Sequence, residues 1–315
     1  MKKKLITLIA GLSLVSASSF AGELTSFTHE AVLNDFDGGK EHVEWTLGKG
    51  SYKIDDTFKF TFDVDKDFIK SATGAKSQGW DTQFGIVQKM DKVGTWDLSL
   101  NYLLRYDDRW TANSNNKVDG FDNLTQYIVS PYFSKDVKIA GKYFTAGIEL
   151  WAQVGGEKGD SLQTNNGFEA SGYLEGALSD RWNLSLALYN LDYYDGIEAK
   201  EYDYYIGTED SLTYTLPLKG GLSFVLENKV EAYYHPEYAS YDDNDNVVNQ
   251  KKYITVDAYV KPQLKFTKKV DDHLSWHAAV AYEAVNLVAS DDETTSVTKA
   301  WDNNEMEITL GFKVK

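Results

Sequence analysis

The chain has 315 residues, a formal net charge of −16 and no cysteine. The lack of cysteine excludes disulfides, thiolate metal sites and lipid attachment at a cysteine, and the acidic balance argues against a nucleic-acid partner. Aromatic residues make up 14% of the chain although its mean hydropathy is negative. That pairing is unusual for a soluble domain and typical of a barrel whose apolar lipid face alternates with a polar lumen.

Residues 1–21 are predicted to be a secretory signal peptide. Lys2, Lys3 and Lys4 form a basic start, an apolar run follows from Leu5, and Ala21 ends a small-residue cleavage site. The run is shorter than the roughly 20 apolar residues of a membrane-spanning helix. The mature chain, residues 22–315, is then a single exported domain. Its net charge is more negative than that of the full chain by three, because the three lysines of the signal peptide are removed.

Alternation with a period of two predicts strands along most of the mature chain. In segment 57–65, Phe58 and Phe60 alternate with Lys59 and Thr61, which places the apolar side chains on one face. About fourteen strands are predicted, many of them long enough to cross a bilayer at a tilt. They are 25–34, 42–48, 57–65, 80–88, 95–106, 123–134, 142–154, 167–178, 182–194, 202–216, 221–234, 252–266, 274–288 and 304–314. The predicted fold is an all-β, antiparallel transmembrane barrel.

The predicted connections alternate between short and long. The short ones are 90–94, 179–181, 217–220 and 268–273, and the long ones are 107–122, 155–166, 235–251 and 289–303. In the bacterial outer membrane, barrel turns are short on the periplasmic side and long outside. Both termini are therefore expected in the periplasm.

Four residues fit this pattern poorly. Asp210 and Asn228 would face lipid in mid-strand, and Pro131 and Pro262 each remove a hydrogen-bond donor from a strand interior. A β-bulge or a local register shift is the expected accommodation.

Aromatic residues cluster beside the predicted short turns on the apolar face. An amphipathic ring belongs at a membrane interface, so these residues are predicted to form a periplasmic aromatic girdle. They are Trp96, Phe133, Phe144, Trp182, Phe266, Trp276 and Phe312. The alternative is that they are core aromatics of a secreted soluble β-protein.

Charged residues occupy the polar face of the strands, and acidic ones outnumber basic ones. Such a lumen favours the passage of cations, unless neighbouring charges cancel on a merely solvated face. The predicted pore-lining residues are Asp97, Arg105, Glu149, Glu169, Glu175, Glu227, Lys229, Glu231, Asp257, Lys261 and Glu283. Of these, Glu149, Glu227, Lys229 and Asp257 are the predicted constriction. The scarcity of arginine argues against a pore for anionic sugars.

The mature chain resembles the monomeric, fourteen-stranded outer-membrane porins of the OmpG type. The resemblance rests on the strand count and on three local matches, Ser130-Pro131-Tyr132-Phe133, Leu216-Pro217-Leu218 and Leu274-Ser275. It implies a monomeric, poorly selective channel for ions and small solutes such as sugars, which contacts lipid, lipopolysaccharide and the outer-membrane assembly machinery.

Two features of that family do not carry over. Its pH gate uses a histidine pair where this chain has Lys251 and Leu287, so no histidine gate is expected. An aromatic terminal residue is usual in the family, whereas Phe312 is followed here by Lys313-Val314-Lys315.

Three other functions have weaker support in the sequence. An adhesin or surface receptor would use Trp110, Tyr238, Tyr241 and Trp301 in the long connections. A hydrolase would need acid pairs or a Ser275–His277 relay, but alternate residues of one strand lie roughly 7 Å apart, too far for a relay. Segment 242–246 lacks the glycine and glutamate of a calcium loop. No cofactor, metal or catalytic activity is therefore expected.

The predicted topology can be tested by cysteine labelling on intact cells. A cysteine at Asn244 or Asp292 lies in a predicted outer connection and should react with an impermeant maleimide. One at Asp180 lies in a predicted periplasmic turn and should remain unlabelled until the outer membrane is permeabilised. The reverse pattern would overturn the orientation.

Overall fold

The computed structural model describes residues 23–36, 40–71, 73–112, 118–158, 162–195, 201–241, 247–283, 285–292 and 305–315. The predicted signal peptide lies outside these ranges. In the described part of the chain, no helix has the length and apolar character to cross a membrane.

In the described residues, all of the regular structure except one short turn is β-strand. The strands are β1 (Glu23–Phe36), β2 (Lys40–Lys53), β3 (Phe58–Lys70), β4 (Lys76–Lys89), β5 (Asp97–Ala112), β6 (Val118–Ile139), β7 (Lys142–Lys158), β8 (Leu162–Ala177), β9 (Trp182–Asp195), β10 (Glu201–Pro217), β11 (Leu222–Tyr241), β12 (Val247–Lys269), β13 (Leu274–Tyr282), β14 (Val285–Asp292) and β15 (Glu305–Val314). A single 3₁₀ turn, Lys219–Gly221, joins β10 to β11.

These segments form one closed antiparallel barrel. From β1 to β13 each strand pairs with the next in sequence, β13 pairs with β15, and β15 pairs with β1 from Phe27↔Val314 to Phe36↔Glu305, which closes the sheet on itself. Segments β13 and β14 both pair with β12 and are the two halves of one crossing strand. The barrel therefore has fourteen crossing strands, and the predicted fold class and strand count are confirmed.

The strands are longer at one end than the alternation pattern predicted. β5 continues to Ala112 and β6 begins at Val118, so most of the predicted connection 107–122 is paired strand. Likewise β11 extends to Tyr241 and β12 begins at Val247. The polar residues of these two segments, which indicated loops, lie instead in paired strands that form hairpins beyond the apolar outer surface of the barrel.

The opposite end of the barrel has tight turns. Between β6 and β7, Ala140 and Gly141 are both in the left-handed region, with φ of 48° and 82°. Two such residues form a type I′ turn, whose twist matches that of the flanking strands. Asp55 and Asp271 close the β2–β3 and β12–β13 turns by accepting backbone hydrogen bonds.

The alternation assigned from sequence matches the faces of the strands. On β5, Tyr102 and Leu104 are exposed on the outer surface, 42% and 38% respectively, while Asn101 and Arg105 face the lumen. On β12, Ile254 and Leu264 are outward-facing in the same way.

Proline accounts for the irregularities in the ladder. Between Val260↔Val285 and Gln263↔Ala281, β12 contributes the two residues 261 and 262, whereas its partner contributes the three residues 282–284. This is a β-bulge opposite Pro262, as predicted. Pro236 likewise lies at a register shift between β11 and β12.

Pro131 is accommodated differently. The β6–β7 pairs Val129↔Ala152 and Tyr132↔Glu149 keep one register, and the ladder lapses between them. The expectation of a bulge or shift at Pro131 is therefore wrong, because the loss of one donor is absorbed by a local gap in pairing.

Asp210 and Asn228 do face outward, as the pattern predicted. Asn228 pairs with Leu212 and Val260 on the apolar surface, and its Nδ2 donates to the Leu212 carbonyl at 3.1 Å. That bond satisfies part of the amide without water. Asp210 lies between Leu186 and Val230 on the same surface.

Lysine scanning on β12 tests the assignment of the faces. Val260 lies on the outer face between the levels of Phe266 and Ile254, so Val260→Lys should destabilise the barrel by about 2–4 kcal/mol. Thr255 faces the polar lumenal side, so Thr255→Lys should cost much less. Urea titration of the two variants refolded into lipid vesicles measures the difference, and equal costs would mean that the faces are misassigned.

A pH titration tests the β12–β13 turn. The backbone N–H groups of His273 and Leu274 donate to Asp271 Oδ1 at 2.7 and 2.8 Å, and these bonds lower the pKa of the Asp271 carboxyl. A carboxyl with a lowered folded-state pKa stabilises the fold above its unfolded pKa of about 3.9 and loses that contribution as pH falls through the folded pKa. Asp271→Ala should therefore lower the free energy of unfolding at pH 7 and have less effect at pH 3.

Asp272→Ala is the matched control. Asp272 is next in sequence, is exposed, and contacts only the exposed Lys269 at 2.7 Å among the described residues, so its removal should change stability little. Urea unfolding followed by tryptophan fluorescence measures both variants. A deficit for Asp271→Ala that is equally large at both pH values would contradict the role of the ionised carboxylate.

Candidate functional site

The candidate site is the lumenal wall, because pairing places all eleven predicted pore-lining residues on that side. Arg105 and Asp97 lie on β5, Glu149 on β7, and Glu169 and Glu175 on β8. Glu227, Lys229 and Glu231 lie on β11, Asp257 and Lys261 on β12, and Glu283 just beyond β13. Direct cross-strand pairs such as Glu227↔Lys261 and Glu231↔Asp257 bring several of them together.

The three cations among the predicted pore-lining residues are each bonded to carboxylates. Arg105 contacts Asp81 at 3.2 Å and Asp107 at 2.9 Å. Lys261 Nζ lies 2.7 Å from Glu307 and 3.9 Å from Glu283.

Lys229 is held in the same way. It forms an ion pair with Glu231 and lies 3.9 Å from Glu209. All three side chains are about one-third exposed or less, so these ionic contacts fix the lysine against the wall rather than leaving it free in the lumen.

A second group of lumenal carboxylates forms no ion pair with a described residue. It consists of Glu44, Asp65, Glu149, Glu169, Glu175, Glu227, Asp257 and Glu305. Some are satisfied by hydroxyl groups: Ser130 donates to Glu149, and the Tyr259 hydroxyl donates to Glu227 at 3.4 Å. A hydroxyl group carries no charge, so its hydrogen bond does not compensate the charge of the carboxylate. The lumenal wall therefore keeps an excess of acidic groups after its ion pairs are counted.

The four predicted constriction residues are partly brought together. Glu227, Lys229 and Asp257 lie on the adjacent strands β11 and β12. Glu149 lies four strands away on β7, yet it and Lys229 line the same recess of about 380 Å³, together with Glu169, Glu175 and Glu209.

Aromatic side chains on the lumenal wall were missed from the sequence. Trp151, Tyr173 and Tyr189 line the recess beside its glutamates, and Tyr132 stacks on Tyr173 with ring centroids 5.7 Å apart and planes at 7°. Each of these rings lies an even number of residues from a charged residue of the same strand and so shares its face; that spacing was the signal available in the sequence. Tyrosine is amphipathic and occurs on both faces of a membrane barrel, so the residue type alone does not identify the face.

Glycine allows these rings to lie against the wall. A Cβ built on Gly147 would lie 2.0 Å from Tyr173 Cζ, and one on Gly207 would lie 2.0 Å from Tyr233 Cδ1. Each tyrosine pairs directly with its glycine on the next strand. The ring therefore covers the position where a side chain would otherwise be, which keeps its bulk out of the lumen.

His277 does not form the relay considered from the sequence. Its Nε2 is bonded to Glu30 on β1, on the far side of Gly311 in β15. A Cβ at Gly311 would lie 2.7 Å from His277 Nε2. The histidine thus crosses the strand that closes the barrel and is engaged by a carboxylate rather than by Ser275.

The predicted aromatic girdle residues lie on the outer surface near the tight turns. Trp182, Phe266 and Trp276 are exposed there. The rings of Trp276 and Phe312 pack together, with their centroids 5.3 Å apart. Phe144 is only 6% exposed and covers Gly176. The Phe144 ring packs against the barrel wall instead of pointing away from it, because the paired residue on the next strand, Gly176, has no side chain.

A second band of exposed aromatics lies toward the opposite end of the barrel. It comprises Phe68, Trp80, Tyr106, Tyr127, Phe168, Tyr234 and Tyr282. Lys66 lies between Trp45 and Trp80 in the ladder, and its Nζ is 4.7 Å from the Trp80 ring. Two aromatic bands flanking an apolar surface are typical of outer-membrane β-barrels, and this is the architecture of the chain.

No family model and no curated protein matches the sequence. Solved structures that resemble the chain include CdiB from Acinetobacter baumannii, with 7% identity and a TM-score of 0.45 over 91% of this chain. The chain spans 60% of the length of CdiB. The transport unit of the autotransporter AIDA-I from Escherichia coli is similar at 14% identity and a TM-score of 0.39, covering 98% of this chain and 97% of that one.

An outer-membrane channel from Pseudomonas putida F1 is also similar, with 10% identity and a TM-score of 0.41 over 94% of this chain and 97% of its own. The fold assignment itself comes from the closed pairing of the strands.

Proposed function

We propose that the chain is a porin that forms a water-filled, weakly cation-preferring channel through the outer membrane, for passive diffusion of ions and small hydrophilic solutes such as sugars. The observation that carries the proposal is the group of lumenal carboxylates that form no ion pair with any described residue. Fixed carboxylates along a pore raise the local concentration of cations.

The size and filling of the barrel support an open lumen. Side chains fill barrels of about eight strands, whereas barrels of 16–18 strands hold an aqueous channel. This barrel has fourteen crossing strands. Every described residue belongs to the barrel strands or to a short connection between them, and tyrosines packed over glycine further reduce obstruction.

The polar wall also supports small hydrophilic solutes as the cargo. The recess between β7 and β11 presents serine hydroxyls, glutamates and aromatic rings together. Hydroxyl and carboxylate groups exchange hydrogen bonds with sugars, and aromatic rings pack against their apolar faces. A monomeric state, as the OmpG-type resemblance implies, is part of the proposal.

The adhesin alternative has less support. Of its four candidate residues, only the Trp110 side chain lies in the described part of the chain, and it is on the outer surface opposite Gln78 at the end of β4–β5. There it continues the outer aromatic band, a role that needs no protein ligand. We also propose that the chain has no catalytic activity; His277 is bonded to Glu30 and does not form the Ser275–His277 relay that a hydrolase was expected to need.

Planar-bilayer recording in a KCl gradient tests the channel and its selectivity. The wild type should give stable conductance steps and a reversal potential of the sign expected for excess K⁺ permeation. Glu149→Gln combined with Asp257→Asn removes two uncompensated charges and should move the reversal potential toward zero. Absence of conductance would overturn the proposal that the chain forms a pore, and anion selectivity would overturn the proposed preference for cations.

Lys229→Gln is the control of opposite sign. It removes a cation that is bonded to Glu209 and Glu231 and leaves both acids uncompensated, so the reversal potential should move further toward that of K⁺. If both sets of variants moved it in the same direction, the changes would reflect altered pore geometry rather than charge.

A further inference from the structure

A histidine and two carboxylates converge on the lumenal wall between β2 and β3. His42 and Glu44 are two residues apart on β2 and so share a face, and Glu44 pairs directly with Asp67 on β3. One ligand atom from each of the three side chains lies within 4.8 Å of the other two. His42 Nε2 is 2.8 Å from Asp67 Oδ1.

The position of this group is near the outer end of the barrel. His42 is the third residue of β2, and Asp67 is three residues before the end of β3. The His42 and Asp67 side chains are each 22% exposed. They are thus held by the wall yet reachable from the lumen, so that an ion could enter and water could complete its coordination shell.

Asn34 supplies an independent observation at the same place. It lies on β1 in the register position directly opposite His42. Its Oδ1 is shielded from solvent and accepts no hydrogen bond. Shielded amide oxygens are normally paired because desolvation without a partner is costly, and such an oxygen is a ready metal ligand.

Four other acidic groups of the lumen are neutralised by lysine. Glu283 and Glu307 contact Lys261, and Glu209 and Glu231 contact Lys229. At His42 the group in contact with the carboxylate is an imidazole, which can release its proton and coordinate a metal ion.

We propose that His42, Glu44 and Asp67 form a binding site for a divalent transition-metal ion, with Asn34 as a further oxygen donor. One imidazole nitrogen with two carboxylates is a donor set typical of Zn²⁺ and its neighbours, whereas Ca²⁺ takes six to eight oxygen ligands. Two carboxylates also neutralise the charge of the ion.

Calorimetric titration of the refolded barrel with Zn²⁺ tests the site, and it does not depend on whether the barrel conducts. One equivalent should bind to the wild type. His42→Ala, Glu44→Gln and Asp67→Asn should each weaken binding by about 10-fold or more, as expected for loss of a ligand. A difference in gel mobility between unheated and boiled samples of each variant shows that its barrel has formed.

His277→Ala is the matched control, because His277 also faces the lumen beside a carboxylate, Glu30, and should leave Zn²⁺ affinity unchanged. Undiminished binding in His42→Ala would overturn the site, as would loss of binding in His277→Ala alone. Equal or tighter binding of Ca²⁺ than of Zn²⁺ would overturn the assigned metal class.

Discussion

Closure of the sheet is the constraint on which the rest of the structure depends. Hydrocarbon offers no hydrogen-bond partner, so every backbone N–H and C=O within the bilayer must be satisfied by the chain itself. The ladder between β1 and β15 meets this requirement by removing both edges. His277 and Glu30 add a side-chain contact across the same seam, and Gly311 leaves room for it. Long strands, an apolar outer surface and a polar lumen all follow from a closed sheet in lipid.

The same constraint explains where the chain tolerates proline. Pro217 ends β10 at a tight turn, and Pro236 and Pro262 lie at register shifts where one strand carries an additional residue. Pro131 lies where the β6–β7 ladder lapses for two residues without a shift. A proline inside this barrel is therefore accommodated by one local rearrangement of the ladder, either a shift of register or a gap in pairing, and regular pairing resumes on both sides of it.

The alternation of residues such as Tyr102 and Asn101 was sufficient to predict the strands, their faces and an even strand number, because the period of two is a local property. Partners are not local. That Arg105 contacts Asp81, or that Lys261 contacts Glu307, depends on register across strands that are remote in sequence. The outer hairpins were predicted as loops for a related reason: their polar residues stand in water on both faces, so paired strand there has no hydrophobic pattern.

Register also decides which charges determine the pore potential. A lysine bonded to a glutamate is a dipole whose field decays quickly, and from beyond about 8–10 Å in physiological salt it contributes little. The carboxylates that form no ion pair with a described residue have no cation beside them, and they fall into two groups. One follows β7, β8, β11 and β12, and the other consists of Glu44 on β2, Asp65 on β3 and Glu305 on the nearby strand β15. Because these strands lie on opposite sides of a fourteen-strand barrel, a cation meets negative potential from both walls. In the proposed channel, occupation of the proposed His42 site by a divalent ion would reduce the negative charge of one wall and leave the other unchanged, so the proposed cation preference and a response to metal would both follow from the same distribution of charge.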